Sequence, residues 1–540
     1  FWLKTQARPI PPPSAPPAGA SGQPENDTAL RAVRGRTAAM ARQQLAILGS
    51  GWGAARLLKD ICPKKYAVTV ISPRNHMLFT PLMPSASIGT VDTRSICEPL
   101  RPSIAAKGAR YCEALAEHVD LQDRVVRCKS LHGDKYDVAF DRLIVAVGKQ
   151  ANDFGNPNIR KYAHFMKETA DADRLRESFL RRLEEAAFLH GHPQGSSLSL
   201  EEVTKIEQLL SMVVVGGGPT SVMFASELTD FIARDVTKMY PQLKEHIAVH
   251  LVEWASCTVN THRPDKALRS YARSRLAKKS GVRIHQSEID QVTQSSLLLK
   301  NGNVLPYGTL LWNAGHKAVP LVESLDLPKA PCSRLILDPF LRCAGHSHVY
   351  ALGDCGRVGE DGLPQTAQVA EQQAAYLAQQ LNGEEASARP FALKGLPSMT
   401  YGCAAGSKSL LPDQPWAQHF NGWLAWMAYR SSFFSTQLSV RNRVAIASDK
   451  VSAALFGCSM TRLGEDSGDL PSSMASPSRA PARQMDTKAA KLQMDDKLLS
   501  SILDDIGMRQ VTDLMQMPRP QVAHSGNLPN EPPKMQVRKY

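Results

Sequence analysis

Apolar runs closed by glycine turns set the pattern of this chain. Leu45-Ala-Ile-Leu48 is an apolar run of strand length. It is followed by Gly49-Ser-Gly51-Trp-Gly53-Ala54, helix-compatible positions through Lys59, and a second apolar strand over Ala67–Ile71. Strand, tight turn, helix and strand in that order predict a βαβ unit. The order returns with Met212-Val-Val-Val215, the turn Gly216-Gly-Gly218-Pro-Thr-Ser221, a helix to about Ala233 and a strand over Ile247–Val252. Between the two lie a strand Leu143–Val147, closed by Gly148, and a charged helical segment around 171–210. A third short strand, Val349-Tyr-Ala-Leu352, ends in Gly353-Asp354.

Composition narrows the class. The chain has 540 residues, 43% hydrophobic and 21% charged, so wholesale disorder and a collagen-like fibre are excluded. No run approaches the roughly 18 apolar residues of a spanning helix. Ten cysteines stand without CxxC pairs, which argues against a zinc ribbon or disulfide scaffold and suits a reducing compartment. No ligand cluster argues for a metal. The net charge of +13 is uneven: residues 1–44 carry six Lys/Arg against two acids, and 421–464 carry five against one. A basic surface serves nucleic acid or anionic lipid. No zinc-finger, RNP-type or helix-turn-helix signature is present, so nucleic acid is the weaker reading. Residues 1–25 are rich in Pro, Ala and Ser, and Arg31, Arg34, Arg36 and Arg42 among alanines read as the end of an organellar targeting region. The prolines fit that reading poorly.

The glycine turns have a physical logic. One glycine makes the tight turn, a second lets backbone approach a pyrophosphate, and a small third residue lets helix and strand pack. The phosphates then meet free N–H groups at a helix N-terminus. In the first unit these positions are Gly49, Gly51 and Ala54, with Gly53 in the turn; a ligand-free turn is the alternative. Its second strand runs into Ser72-Pro-Arg74 and supplies no acid for a ribose. In the second unit Gly216 and Gly218 precede Pro219, and Ser221 takes the third place. Its second strand does end in an acid, Glu253, which suits both ribose hydroxyls of NADH and repels a 2′-phosphate; a solvated strand end is the alternative. Asp354 could accept from the ribityl hydroxyls of a flavin on the first unit. A flavin site beside a nicotinamide site lets hydride pass between them. The fold class is therefore α/β, with two Rossmann-like dinucleotide-binding domains, for FAD and NADH, and a C-terminal membrane-docking region.

Several stretches resemble the type II, non-proton-pumping NADH:quinone oxidoreductases of the mitochondrial kind. They are Leu48-Gly-Ser-Gly-Trp-Gly-Ala-Ala55, Val70-Ile-Ser-Pro-Arg-Asn75, Leu78-Phe-Thr-Pro-Leu82, Arg94-Ser-Ile-Cys-Glu-Pro99, Val213-Val-Val-Gly-Gly-Gly-Pro-Thr220, Leu311-Trp-Asn-Ala-Gly315, Leu352-Gly-Asp-Cys355 and Thr366-Ala-Gln-Val-Ala-Glu-Gln-Gln373. Ala425-Trp426, Arg430-Ser431 and Gln437-Leu-Ser-Val-Arg-Asn-Arg443 resemble the family's membrane-facing C-terminus. The resemblance implies that Gly49, Gly51, Gly53, Ala54, Ser72, Arg74, Gly148, Gly353 and Asp354 hold FAD, with Thr80 and Pro81 near the isoalloxazine. It implies NADH at Gly216, Gly218, Pro219, Ser221 and Glu253, with Gly315 close to the nicotinamide. It places Gln368 and Gln372, one helical turn apart, at the quinone entrance; a plain polar helix face is the alternative. The acceptor would be a quinone, and the site the mitochondrial inner membrane, held peripherally; a chloroplast membrane is the alternative. A homodimer is compatible with it.

The domain boundaries expected are 1–44 for a disordered or targeting-like segment, 45–205 for the first part of the FAD-binding domain and 206–335 for the NADH-binding domain. The second FAD-binding part covers 336–400, membrane docking 401–464, and a linker and tail 465–540. Docking rests on Gly422-Trp-Leu-Ala-Trp-Met-Ala-Tyr429 and an amphipathic stretch Val444–Phe456 beside Arg441 and Arg443. A core helix or dimer seam is the alternative. Within 485–517, Leu499, Ile502, Leu503 and Ile506 follow helical spacing before Gly507, a helix in need of a partner surface. Two departures fall on the NADH side: Ser221-Val222-Met223 where the family has Gly-Val-Glu, and Ala314 where threonine is frequent. Cys458-Ser459 replaces an Arg-Asp and predicts a weakly held end. A disulfide reductase would need a cysteine pair beside the flavin, whereas Cys62 stands alone on the first helix. A sulfide:quinone oxidoreductase would need cysteines on both sides of the flavin. A non-catalytic structural or assembly subunit that retains FAD is the rival of another class.

Overall fold

The computed structural model describes residues 42–191, 198–253, 276–277, 281–360, 362–383, 389–394, 407–408, 421–422 and 439–462. All belong to the unit Phe1–Gly464; the unit Glu465–Tyr540 lies outside them. The targeting-like segment short of residue 42, the aromatic run 423–429 and the helix expected within 485–517 therefore fall outside the described residues.

The first sheet is built from β1 (Gln43–Leu48), β2 (Tyr66–Ser72), β3 (Arg110–Asp120), β4 (Val125–Ser130), β5 (Lys135–Ala139), β6 (Arg142–Val145) and β14 (Val349–Ala351). Its order is β14-β6-β1-β2-β3-β4-β5. The strands from β14 to β3 run parallel, and β4 and β5 fold back antiparallel at the edge. β1 is buried from Leu45 to Leu48 because a parallel sheet is covered on both faces, which is why it reads as a continuous apolar run. α1 (Trp52–Asp60) follows β1 and packs on α6 (Ala367–Asn382). Asn382 ties the two helices, donating to Asp60 O at 2.8 Å and accepting from the Cys62 N–H at 2.7 Å. Cys62 thus sits just past the end of α1 rather than on it.

The second sheet has the order β10-β9-β8-β11, all parallel, from β8 (Ser211–Val215), β9 (Ala248–Glu253), β10 (Arg283–Gln286) and β11 (Thr309–Trp312). Alternate residues of β8 enter different cores: Met212 and Val214 join the large cluster shared with the first sheet, Val213 and Val215 a smaller one around Trp312. α5 (Pro219–Phe231) continues through a π-turn, Ile232–Val236, to Met239, beyond the end expected at Ala233. The single helical segment expected over 171–210 is two helices, α3 (Thr169–His190) and α4 (Leu200–Leu210). α4 opens on its own capping box, Ser199 with Glu202, a start signal inside the charged run.

A two-stranded ribbon, β7 (Gln150–Ala151) against β12 (His316–Lys317), joins the sheets. Asp153 lies beside it, accepting from Lys317 Nζ at 2.8 Å and paired with Arg160. A parallel pair, β13 (Leu335–Leu337) with β15 (Gly356–Val358), flanks β14. The last described helix, α7 (Val440–Phe456), rests one face on the first unit through Asn442, Ile446 and Ala453, and Asn442 Nδ2 donates to Cys97 O at 2.7 Å. The Cys458 end, expected to be weakly held, is anchored instead. Cys458 is buried, its N–H donates to Asp235 Oδ2 at 3.4 Å, and Arg234 reaches its sulfur at 3.2 Å.

Candidate functional site

The two glycine turns are built alike. Gly49 has φ +108°, and a Cβ there would stand 2.4 Å from Ala146 O. Gly216 has φ +123°, and its Cβ would stand 2.4 Å from Asn313 O. In each, the glycine N–H donates back to the neighbouring parallel strand, to Ile71 O at 2.8 Å and to Val252 O at 2.9 Å. Only glycine serves where a positive φ and a close carbonyl coincide. The helices that follow start on Gly51 and Gly218, with no side-chain cap and no acid in the first turn. Their first N–H groups and positive dipole ends are thus left for an anion.

Third positions differ in detail. Gly53 touches the first unit's own packing, since a Cβ there would lie 2.0 Å from Leu352 Cδ1. Ala54 is buried in α1. Ser221 is fully buried, and Asn313 donates its side-chain amide to the Ser221 hydroxyl at 3.0 Å. A serine fits where a smaller residue was expected because a partner meets its hydroxyl.

Both turns open on one cleft of about 1290 Å³. That exceeds the ~300–1,000 Å³ usual for one small ligand. Its wall includes Gly49, Gly51, Gly53, Ser72, Arg74, Thr80, Gly148, Gly353 and Asp354 from the first unit, and Gly218, Pro219 and Gly315 from the second. Space is open where a Gly51 side chain would stand, and Gly148 at φ +70° is likewise open. The residues fit a dinucleotide flavin: an uncapped helix start, a glycine with room beside it, and a carboxylate along the same wall.

Ala54, Pro81, Gly216, Ser221, Glu253, Gln368 and Gln372 are not wall residues. Gly216 and Ser221 shape the turn from behind. Glu253 ends β9, and its side chain lies against Gly217, whose Cβ would be 3.3 Å from Glu253 Cγ. Gln372 is occupied: it donates to Lys394 O at 3.1 Å and accepts from the Lys394 N–H at 2.9 Å. α6 turns Ala367 and Ala370 to the cleft, and the buried Gln373 accepts from the Gly353 N–H at 2.7 Å.

At the end of β2, where an acid was missing, the Ser72 hydroxyl donates to Ser50 Oγ at 3.0 Å. Arg74 pairs with Glu168 at 2.7 Å, both on the wall. Behind the first turn the Trp52 and Phe79 rings lie 5.1 Å apart.

Comparison with known proteins decides the family. The family model described as pyridine nucleotide-disulphide oxidoreductase matches residues 43–374. A Dictyostelium discoideum protein named probable NADH dehydrogenase is 33% identical over 425 residues, 77% of this chain and 90% of that one. The chain belongs to the pyridine nucleotide-disulphide oxidoreductases, in their alternative NADH dehydrogenase branch. The internal alternative NAD(P)H-ubiquinone oxidoreductase A1 of Solanum tuberosum mitochondria is 34% identical over 459 residues, 78% of this chain and 88% of that one. A solved structure of NDH2 from Plasmodium falciparum in complex with NADH shares the fold, with TM-score 0.70 and 23% identity, covering 78% of this chain and 100% of that one.

Within this family the present chain carries no disulfide among the described residues. Cys355, beside Asp354, is buried, donates to Val145 O at 3.2 Å, and burial pushes its pKa up to about 11. Such a thiol is structural rather than nucleophilic.

Cleft residues that sequence reasoning missed are Lys149, Lys167, Gln365 and Arg334. Lys149 follows directly on Gly148, so the residue after a strand-closing glycine was the one available signal.

Proposed function

We propose that this chain is an FAD-dependent NADH:quinone oxidoreductase that works peripherally at the mitochondrial inner membrane and pumps no protons. The observation that carries the reading is the single cleft bounded by both glycine turns, with Gly51 on one side and Gly218, Pro219 and Gly315 on the other. Relatives named as mitochondrial NADH-ubiquinone oxidoreductases support quinone as the acceptor and the mitochondrion as the place.

The start of α1 at Gly49–Gly51 binds the FAD pyrophosphate, and Asp354 accepts from the ribityl hydroxyls. Thr80, on the wall, borders the isoalloxazine, with Pro81 behind it. The start of α5 at Gly216–Pro219 binds the NADH pyrophosphate, Glu253 accepts from the adenosine ribose, and Gly315 leaves room for the nicotinamide. Bound FAD supplies the relay, taking hydride from NADH and passing two electrons to quinone. The protein orients both dinucleotides across one cleft and keeps bulk water from the transfer. In this reading 45–205 and 336–400 are the two parts of the FAD-binding domain, 206–335 binds NADH and 401–464 docks to the membrane.

Docking is supported by α7. Val440, Val444, Val451 and Leu455 are exposed along one stripe, opposite the buried Asn442, Ile446 and Ala453. Among the described residues no helix is long and apolar enough to cross a membrane. In this reading α7 lies in the interface plane.

The rival non-catalytic subunit rested on Ser221, Met223 and the added tail, of which the tail lies outside the described residues. Ser221 is accommodated by Asn313. Met223 is not a wall residue, so its apolar side chain leaves the cleft surface unchanged. Steady-state oxidation of NADH by the FAD-loaded protein with a short-chain ubiquinone tests the proposal. Turnover dependent on both substrates is expected; FAD-loaded protein without turnover contradicts it.

A further inference from the structure

Three separate elements bring positive charge to the cleft wall beside Asp354. Lys149 places its ammonium 3.4 Å from Asp354 Oδ2 and donates to Gln365 Oε1 at 3.1 Å. Gln365 in turn donates to the Asp354 backbone carbonyl at 3.3 Å, so the lysine is held from two directions. Its side chain is only 11% exposed. Lys167, just before the N-cap Glu168 of α3, is a second wall ammonium. Burial draws its pKa below the ordinary value, and Asp354 opposes that fall. α6 supplies the third source: its capping Thr366 and its first residue Ala367 are on the wall, so the positive end of a 16-residue helix faces the cleft.

Little offsets this charge. Glu168 is matched by Arg74 at 2.7 Å. His316 also borders the cleft and brings no negative charge to it. Asp354 faces the two ammoniums, the helix terminus and the Arg334 guanidinium of the same wall, where screening by water is reduced.

Hydride carries two electrons and one proton. Its departure from NADH leaves NAD⁺, and its arrival adds one negative charge to the receiving group, which stands uncompensated once NAD⁺ has left and until a further proton follows. A fixed cation beside the receiving group favours that charge more than it favours the empty state.

We propose that Lys149 is an electrostatic positioning residue for the reduction step: held by Asp354 and Gln365, its ammonium raises the reduction potential of the bound flavin. The inference rests on the reading that FAD lies along Asp354. It concerns a residue that does no chemistry itself, and Lys167 and the α6 terminus contribute a background that a change at Lys149 leaves in place.

The test is an anaerobic spectrophotometric titration of the FAD-loaded protein against a reference dye, for wild type, Lys149→Met, Lys149→Gln and Lys149→Arg. The Met and Gln variants should lower the equilibrium constant for reduction about tenfold, which is about 30 mV for a two-electron couple. The Arg variant should stay close to wild type. Should the Met variant lose FAD, the Gln variant, whose amide can still donate to Asp354, decides. An unchanged potential in a neutral variant that holds FAD overturns the proposal. Loss of FAD from both neutral variants also overturns it, because the lysine then holds the cofactor rather than setting its potential. Wild-type protein that binds no FAD, or is not bleached by NADH, overturns the functional reading as well, and is told apart because no variant is needed to see it.

Discussion

Asn313 donates its side-chain amide to the Ser221 hydroxyl at 3.0 Å, while its backbone carbonyl closes on Gly216. One residue at the end of β11 therefore braces both the first and the third position of the second glycine turn. Ser221→Ala would leave that amide without its acceptor at a half-buried contact, a loss of about 1 kcal/mol. Denaturant unfolding should show this, and Ser221→Ala combined with Asn313→Ala should cost less than the sum of the two single changes.

The matched turns predict separable defects. Gly49→Ala forces a Cβ onto Ala146 O and should abolish FAD retention. Gly216→Ala forces one onto Asn313 O in the other unit. It should keep FAD and lose reduction by NADH. Flavin absorbance before and after NADH addition distinguishes the two; equal FAD loss in both variants would contradict separate sites.

Much of this was legible in the sequence, for a local reason. A parallel strand buried on both faces must be an apolar run, and a tight turn at positive φ must be glycine, so Leu45–Gly51 and Met212–Gly218 declared themselves. Gly353-Asp354 was legible because a short apolar strand leads into it. Lys149, Lys167 and Gln365 were not, because they come from three elements and share no spacing; only the tertiary fold brings them to one wall. The antiparallel strands β4 and β5 were missed as well. Val126 and Cys128 face inward while Arg127 and Lys129 point out, an alternation of edge strands without a flanking glycine motif. Helical spacing put Gln368 and Gln372 on one face of α6; Gln372 bonds the backbone of Lys394, and the cleft takes Ala367 and Ala370.

Glu253 should set the choice of nicotinamide cofactor. Replacing the carboxylate by Glu253→Gln removes the charge that would oppose a 2′-phosphate. The ratio of kcat/KM for NADH to that for NADPH should fall by about tenfold, the size of one lost charge-assisted contact of about 1.4 kcal/mol. An unchanged ratio would mean that the residue is only a strand end.

Asp153 clamps the ribbon between the sheets. Its bond from Lys317, then the Gly155 N–H and Arg160, hold its carboxyl well below the usual carboxylate range. With the folded value depressed, the stabilisation is fully present above the unfolded value of about 3.9 and is lost as pH falls through the folded one. Asp153→Asn should thus cost about 1–3 kcal/mol at neutral pH. The gap to wild type should narrow in acid, as followed by thermal unfolding across pH.

The exposed stripe of α7 should carry membrane attachment. Val444→Asp with Leu455→Asp puts two charges where apolar side chains now face outward, at 63% and 68% exposure. The affinity read by sedimentation with vesicles containing anionic lipid should fall about a hundredfold or more, at about 0.8 kcal/mol for each apolar methylene no longer buried. Oxidation of NADH by a water-soluble quinone should be retained, since the stripe faces away from the helix face packed on the protein.

The most direct test of the account is to mix the FAD-loaded protein with NADH under anaerobic conditions and then add a short-chain quinone. Flavin absorbance should bleach with NADH and recover with quinone. Flavin that stays oxidised under excess NADH would contradict it.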